Sequence, residues 1–157
     1  MKKIVILLLL AGCGFRPMFS GNDTDIYVAP IAGINGIDLR NALNAQFGGQ
    51  HSADATYTLT VNLGTPSTKY KARETTGDAS WREISLRAQY TLTHDGKTIA
   101  SGTESASESY TFVRYLVAAN ASYNNAVQNT INVLAQQISA RAIAETYKYE
   151  HSDPDDK

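Results

Sequence analysis

Three stretches of this chain alternate apolar and polar residues with period two, and two more carry the helical period. Ala55 to Leu63 is the clearest strand. Tyr57, Leu59, Val61 and Leu63 fall on one face, and Thr56, Thr58, Thr60 and Asn62 on the other. Trp81 to Thr93 alternates again, setting Ile84, Leu86, Ala88, Tyr90 and Leu92 against Glu83, Ser85, Arg87, Gln89 and Thr91. Asp95-Gly96 is then a two-residue hairpin signal. Thr98 to about Tyr110 returns as the partner strand, polar and small enough for a sheet edge. Asp25 to Ala29 is a shorter strand with Ile26 and Val28 on one face, stopped by Pro30.

Gly33-Ile34-Asn35-Gly36 reads as a loop. Asp38 follows as a helix cap, with Leu39, Leu43 and Phe47 at four-residue steps and Gly48-Gly49 as the stop. From Ser122, Tyr123, Val127, Ile131, Leu134, Ile138 and Ala142 form one stripe on a helix of roughly 25 residues. Pro66 to Ser80 breaks the alternation and has few large apolar residues, so a long loop or a mobile strand extension is expected there. The predicted order is strand, helix, three strands, helix. Antiparallel hairpins with one wet face suit an α+β two-layer sandwich: about four strands, with both helices on the apolar face.

The N-terminus follows another logic. Lys2 and Lys3 precede the apolar run Ile4 to Leu10, and Leu10-Ala11-Gly12-Cys13 comes next. A charged start, a short apolar run and small residues before a cut describe an export signal. The run is too short to cross a bilayer, which takes roughly 20 apolar residues. Residues 1–12 are therefore expected to be removed, 13–24 to form a tether, 25–149 one α+β domain, and 150–157 a disordered tail. The whole chain has 14 basic and 15 acidic residues; losing Lys2 and Lys3 leaves 12 against 15, a net charge of -3. That balance argues against nucleic-acid binding. Cys13, the single cysteine, has no disulfide partner, so the domain must stand on its hydrophobic core.

Leu10-Ala11-Gly12-Cys13 resembles the lipobox of bacterial lipoproteins. The resemblance implies a diacylglycerol thioether and an N-acyl group on Cys13 after cleavage. One acyl chain binds a membrane only marginally; three hold almost irreversibly. Gly rather than Asp at position 14 implies, by the enterobacterial sorting rule, an outer-membrane location facing the periplasm. Cys13-Gly14-Phe15-Arg16-Pro17-Met18-Phe19 resembles the post-cleavage segment of the LptE family of lipopolysaccharide (LPS)-assembly lipoproteins. Ile37-Asp38-Leu39-Arg40-Asn41-Ala42-Leu43 is similar to the family's first helix, and the element order agrees. The long Ala- and Asn-rich last helix resembles the alphaproteobacterial branch. The resemblance implies a plug inside an outer-membrane β-barrel, the LPS translocon, helping the barrel fold and LPS reach the outer leaflet.

Such a role directs attention to cations and to the wet sheet face. LPS phosphates call for Lys and Arg. Lys69, Lys71 and Arg73 alternate, so an extended backbone sets them on one side. Arg82 and Arg87 lie nearby with opposite parity. The plain alternative is a solvated basic loop diluted by Glu74, Asp78 and Glu83. Thr56, Thr58, Thr60, Thr91 and Thr93 make a hydroxylated surface suited to a polar barrel lumen; β-propensity alone would also place threonines there. Trp81 is a candidate partner contact, or else a buried strand residue.

Catalytic patterns are absent from the sequence. His51, His94 and His151 are scattered, without metal-ligand spacing. There is no Gly-rich phosphate loop and no Gly-x-Ser-x-Gly elbow. No enzyme activity, metal or cofactor is expected beyond the lipid on Cys13. The rival reading is another periplasmic lipoprotein module, either a transporter accessory subunit or an activator of a cell-wall synthase.

Overall fold

The computed structural model describes residues 24–73, 79–113 and 115–152. The expected signal segment, Cys13 and nearly all of the tether lie outside the described residues, as do 153–157 of the expected tail. The elements are β1 (Ile26–Val28), α1 (Ile34–Gln46), β2 (Tyr57–Leu63), β3 (Ser67–Arg73), β4 (Ala79–His94), β5 (Lys97–Val113) and α2 (Leu116–His151).

One mixed sheet carries five strands rather than four. Strand β4 is its spine. β5 pairs with it antiparallel along its whole length, from Ala79↔Val113 to His94↔Lys97. On the other side β2 covers the half with Leu59↔Leu92, and β3 covers the half with Ser67↔Ser85. β2 and β3 thus form one long interrupted strand, four steps from Leu63 to Ser67 spanning three from Ala88 to Ser85. The Gly64 N–H donates to the Arg87 carbonyl at 2.8 Å inside that interruption. β1 adds to β2 in parallel, Ile26↔Tyr57. The near end of the sheet holds the β4–β5 turn and the start of β1; the far end holds the end of β3, the start of β4 and the end of β5.

The core lies on one face. Ile26 and Val28, Tyr57, Leu59 and Val61, and Ile84 to Leu92 at alternate positions meet Leu39, Leu43 and Phe47 of α1 and Val127, Ile131, Leu134, Ile138 and Ala142 of α2. Tyr123, the first residue of the predicted stripe, packs at its margin and meets Tyr110 edge to face at 5.9 Å. Buried hydroxyls in α2 bond within their own helix: Thr130 Oγ1 donates to the Ala126 carbonyl at 2.7 Å. α2 has 36 residues and β5 has 17. At about 1.5 Å and 3.3 Å per residue, both run about 55 Å, so the helix can return the full length of the strand that feeds it.

Several boundaries differ from the expectation. α1 starts at Ile34, with Gly33 at its N-cap at φ 84° and no side-chain cap. Asp38 is therefore no cap; its carboxylate accepts from Gln128 Nε2 at 2.7 Å and ties α1 to α2. Gly36 is helical and buried, not a loop residue, because a Cβ there would stand 2.8 Å from the Ile31 carbonyl oxygen. Ser67 to Arg73 is a strand because the long β4 offers it an edge to pair with. α2 begins six residues before Ser122 and continues through Glu150 and His151, so that part of the expected tail is helical. Glu150 is tied down by the Tyr57 hydroxyl, which donates to Oε1 at 3.0 Å.

Candidate functional site

With both helices on one face, the opposite face of the sheet is left to solvent. Register sets its rows: Thr58 beside Thr93, Thr60 beside Thr91 and Ser101, Asn62 beside Gln89 and Thr103. Toward the far end the rows become Arg87 beside Ser105, Ser85 beside Ser107, and Glu83 beside Ser109. Short hydroxyl and amide side chains of β2, β4 and β5 fill most of the near half, Tyr27 of β1 stands beside Thr58 at its margin, and the charged residues of β4 begin at Arg87. The Thr93 hydroxyl donates to the Thr58 carbonyl at 3.3 Å, crossing the ladder.

Thr56 stands at the near corner and is already engaged. Its N–H and its Oγ1 both donate to Asp25 Oδ2 at 2.8 Å. Those two bonds to Thr56 hold the Asp25 carboxyl below its usual range. His51 Nδ1 lies 3.4 Å from Asp25 Oδ1, and its Nε2–H donates to the Phe47 carbonyl at 3.1 Å. His94 donates through Nδ1–H to the Thr56 carbonyl at 3.0 Å and packs between the rings of Tyr57 and Tyr149. Burial, then the bond to Glu150, pushes the Tyr57 phenol up to about 12. His151, on the last turn of α2, stacks on Tyr147 at 4.0 Å. Among the described residues no three His, Cys, Asp or Glu side chains gather to hold a metal ion.

The basic residues whose side chains are described divide between the two faces of the sheet. Lys69 is exposed opposite Glu83. Lys71 Nζ pairs with Glu83 Oε2 at 2.8 Å. An irregularity between Tyr70 and Ala72 shifts the register, so Ala72 opposes Trp81 and the Arg73 backbone opposes Ser80. The backbones of Lys69 and Arg73 therefore oppose positions of opposite parity along β4. The Arg73 side chain lies outside the described residues. Arg82 is on the helix-side face: its guanidinium lies 3.6 Å from the Phe112 ring and 4.6 Å from Tyr70, and it donates to the Tyr70 hydroxyl at 2.9 Å. Arg87 is exposed on the opposite face, beside Asn62, Gly64 and Gln89 in a shallow hollow of about 210 Å³. Trp81 is 47% exposed.

Trp81, a candidate partner contact by sequence, is joined at the far tip by residues that sequence reasoning missed: Tyr70, Tyr115, Leu116 and Val117 are also exposed large apolar residues. Tyr115 to Val117 lie at the start of α2, next to the end of β5. The available signal was that Tyr115-Leu116-Val117 falls outside both the strand alternation and the helical stripe. Among the described residues no helix is long and apolar enough to cross a membrane.

A family model for lipopolysaccharide assembly, LptE, matches residues 24–142. No curated protein matches the sequence. Among solved structures the chain is similar to a protein of Caulobacter crescentus described as a lipoprotein, with 16% identity, TM-score 0.63, and 84% of this chain and 96% of the other covered. It is similar to a minor lipoprotein of Acinetobacter baumannii, with 17% identity, TM-score 0.58, and 78% and 92% covered. It is also similar to rare lipoprotein B of Shewanella oneidensis, with 14% identity, TM-score 0.58, and 80% and 98% covered. At these identities the three structures share the fold.

Proposed function

Because the chain belongs to the LptE lipopolysaccharide-assembly family, we propose that it works as an outer-membrane lipoprotein seated in the lumen of an LPS-export β-barrel. The observation that carries this reading is the uncovered sheet face. Its near half presents Thr58, Thr60, Asn62, Gln89, Thr91 and Thr93, with no large apolar residue among them. A barrel lumen is polar, and short hydroxyl and amide side chains can lie close to it while exchanging hydrogen bonds. Trp81, partly exposed at the far end of the same face, supplies an aromatic anchor. Thr56 stays at the rim, bound to Asp25.

Lipid on Cys13 holds the protein at the membrane in which the barrel sits. Lys69 and Arg87 are the cations open to LPS phosphates; among the described residues neither has an ion-pair partner. Lys71 is neutralised by Glu83, and Arg82 is occupied by two rings. Arg73 joins this set only through its place in the sequence. The role is assembly and delivery, without catalysis.

Depletion tests the reading. Loss of the protein should lower the abundance of the LPS-export barrel and the LPS displayed at the cell surface. Pull-down from detergent-solubilised outer membranes should recover that barrel in stoichiometric amount. Normal barrel and LPS levels after depletion, or recovery of an inner-membrane transporter or cell-wall synthase instead, would overturn it.

A further inference from the structure

Among the described residues the sheet ends on one side in β5, which has 17 residues and pairs there only with β4. The hydrogen-bond pattern shows which of its groups are left over. The Gly64–Arg87 bond directs the odd-numbered residues of β4 toward β2. Antiparallel alternation then turns the even-numbered ones toward β5, where Ala88, Tyr90 and Leu92 oppose Glu104, Gly102 and Ala100. On β5 it is therefore Ser101, Thr103, Ser105, Ser107, Ser109 and Thr111 whose N–H and C=O groups point outward. Among the described residues nothing pairs with this row, and a long edge without proline is a template for a further strand.

The edge is also half of a cleft. Glu108, Ser109 and Thr111 line one wall of a cavity of about 250 Å³, and Ser122, Asn125 and Asn129 of α2 line the other. An edge strand beside a helix flank is the arrangement in which an added strand gains backbone bonds from the edge and side-chain selectivity from the helix. The charge in this cleft is one-sided. Glu108 is half-buried, and among the described residues no cation pairs with it; Glu104, two positions along the same face, is already bound to Arg141 at 3.3 Å. The lone cation of β5 is Lys97, at the near end of the strand beside the hairpin turn and away from Glu108. A second copy of this edge would bring mainly carboxylates to Glu108.

We propose that the outer edge of β5 takes up an extended segment of a protein partner as an added strand, with a Lys or Arg of that segment entering the cleft against Glu108. This rests on the edge, the cleft and the carboxylate, and not on the barrel reading, so either can fail without the other.

The test uses the full-length lipoprotein in intact cells, with a photo-crosslinking residue in place of Asn125. The expected adduct is with a different protein, through a peptide that carries Lys or Arg beside the attachment point. Ser107→Pro should lower its yield by about tenfold, because proline removes an outward N–H without taking a bond from the β4 ladder. Ser107→Ala should leave the yield unchanged. Glu108→Lys should also lower it by about tenfold, by setting cation against cation, and it decides alone if the proline variant reduces the level of the protein. No adduct, adducts only with lipid or with a second copy, or a yield that survives both Ser107→Pro and Glu108→Lys would overturn the proposal.

Discussion

Asp25 stands where the chain enters the sheet, and what it does there depends on its charge. Its Oδ2 accepts both the backbone N–H and the hydroxyl of Thr56, and its Oδ1 faces His51. The bonds to Thr56 are the main reason its carboxyl is held below the ordinary value of 3.8. A carboxyl whose pKa is lowered on folding contributes stability that is present above the unfolded value and is lost as pH falls through the folded one. Between about pH 5 and pH 2.5 the native protein should therefore lose more stability than an Asp25→Asn variant, which has no charge to lose there. Urea midpoints of the two proteins, measured at half-unit pH steps, check this. Parallel acid limbs would mean that the carboxylate contributes nothing by its charge. Tyr57 shows the opposite sign in the next row. Its phenol is raised to about 12, so its contribution holds below the unfolded value of 10.0 and fades only as pH rises through the folded one.

At the scale of elements, close approach decides where local propensity would mislead. Gly36 lies inside α1, where alanine is intrinsically better by about 1 kcal/mol. Its missing Cβ, however, would stand 2.8 Å from the backbone carbonyl of Ile31 and 2.9 Å from the Ile31 side chain. Backbone cannot swing aside, and overpacking of this kind costs about 1–3 kcal/mol. Gly36→Ala should be destabilising on balance, by up to about 2 kcal/mol, and a urea midpoint equal to that of the native protein would show that Ile31 yields. The same contact explains a misreading. Gly33-Ile34-Asn35-Gly36 has the composition of a loop, and only the packed structure reveals that one glycine starts the helix and the other lets it pass Ile31. Elements whose burial is regular were legible: the alternation of Tyr57 to Leu63 and of Ile84 to Leu92, and the stripe from Val127 to Ala142, are the core. Those whose partners are distant in sequence were not. β3 has no apolar face of its own and exists because β4 is long enough to pair with it. The first turns of α2 bury little beyond Ala119, so no stripe announced them. The candidate site was legible as a hydroxylated face, because strand parity alone assigns Thr58 and Thr60 to it. The basic set was not, because the shift between Tyr70 and Ala72 breaks the parity from which the grouping of Lys69, Lys71 and Arg73 was argued.

Across the whole molecule, the two sides of the sheet divide stability from contact. Both helices and all the large buried side chains are on one side, and the other carries short polar groups in register. A substitution on the uncovered face should therefore leave folding almost untouched while disturbing whatever lies against that face. Thr60 is exposed in the middle of β2, paired with Thr91. Thr60→Lys exchanges a β-branched residue for a poorer strand former, which costs at most about 1 kcal/mol; melting should move by only a few degrees, about 2–8 °C for that amount. In a close interface the same change inserts a long charged side chain where a hydroxyl fitted, and recovery of the barrel with the lipoprotein should fall by about tenfold. Asn132→Lys, on the exposed outer side of α2, adds the same charge away from the sheet face and should leave recovery unchanged. If both variants recover the barrel equally well, the sheet face is not the contact and α2 or the far tip must be. If both lose it, the effect is one of charge and not of place. Only loss with Thr60→Lys and retention with Asn132→Lys identifies the uncovered face as the surface that the barrel meets.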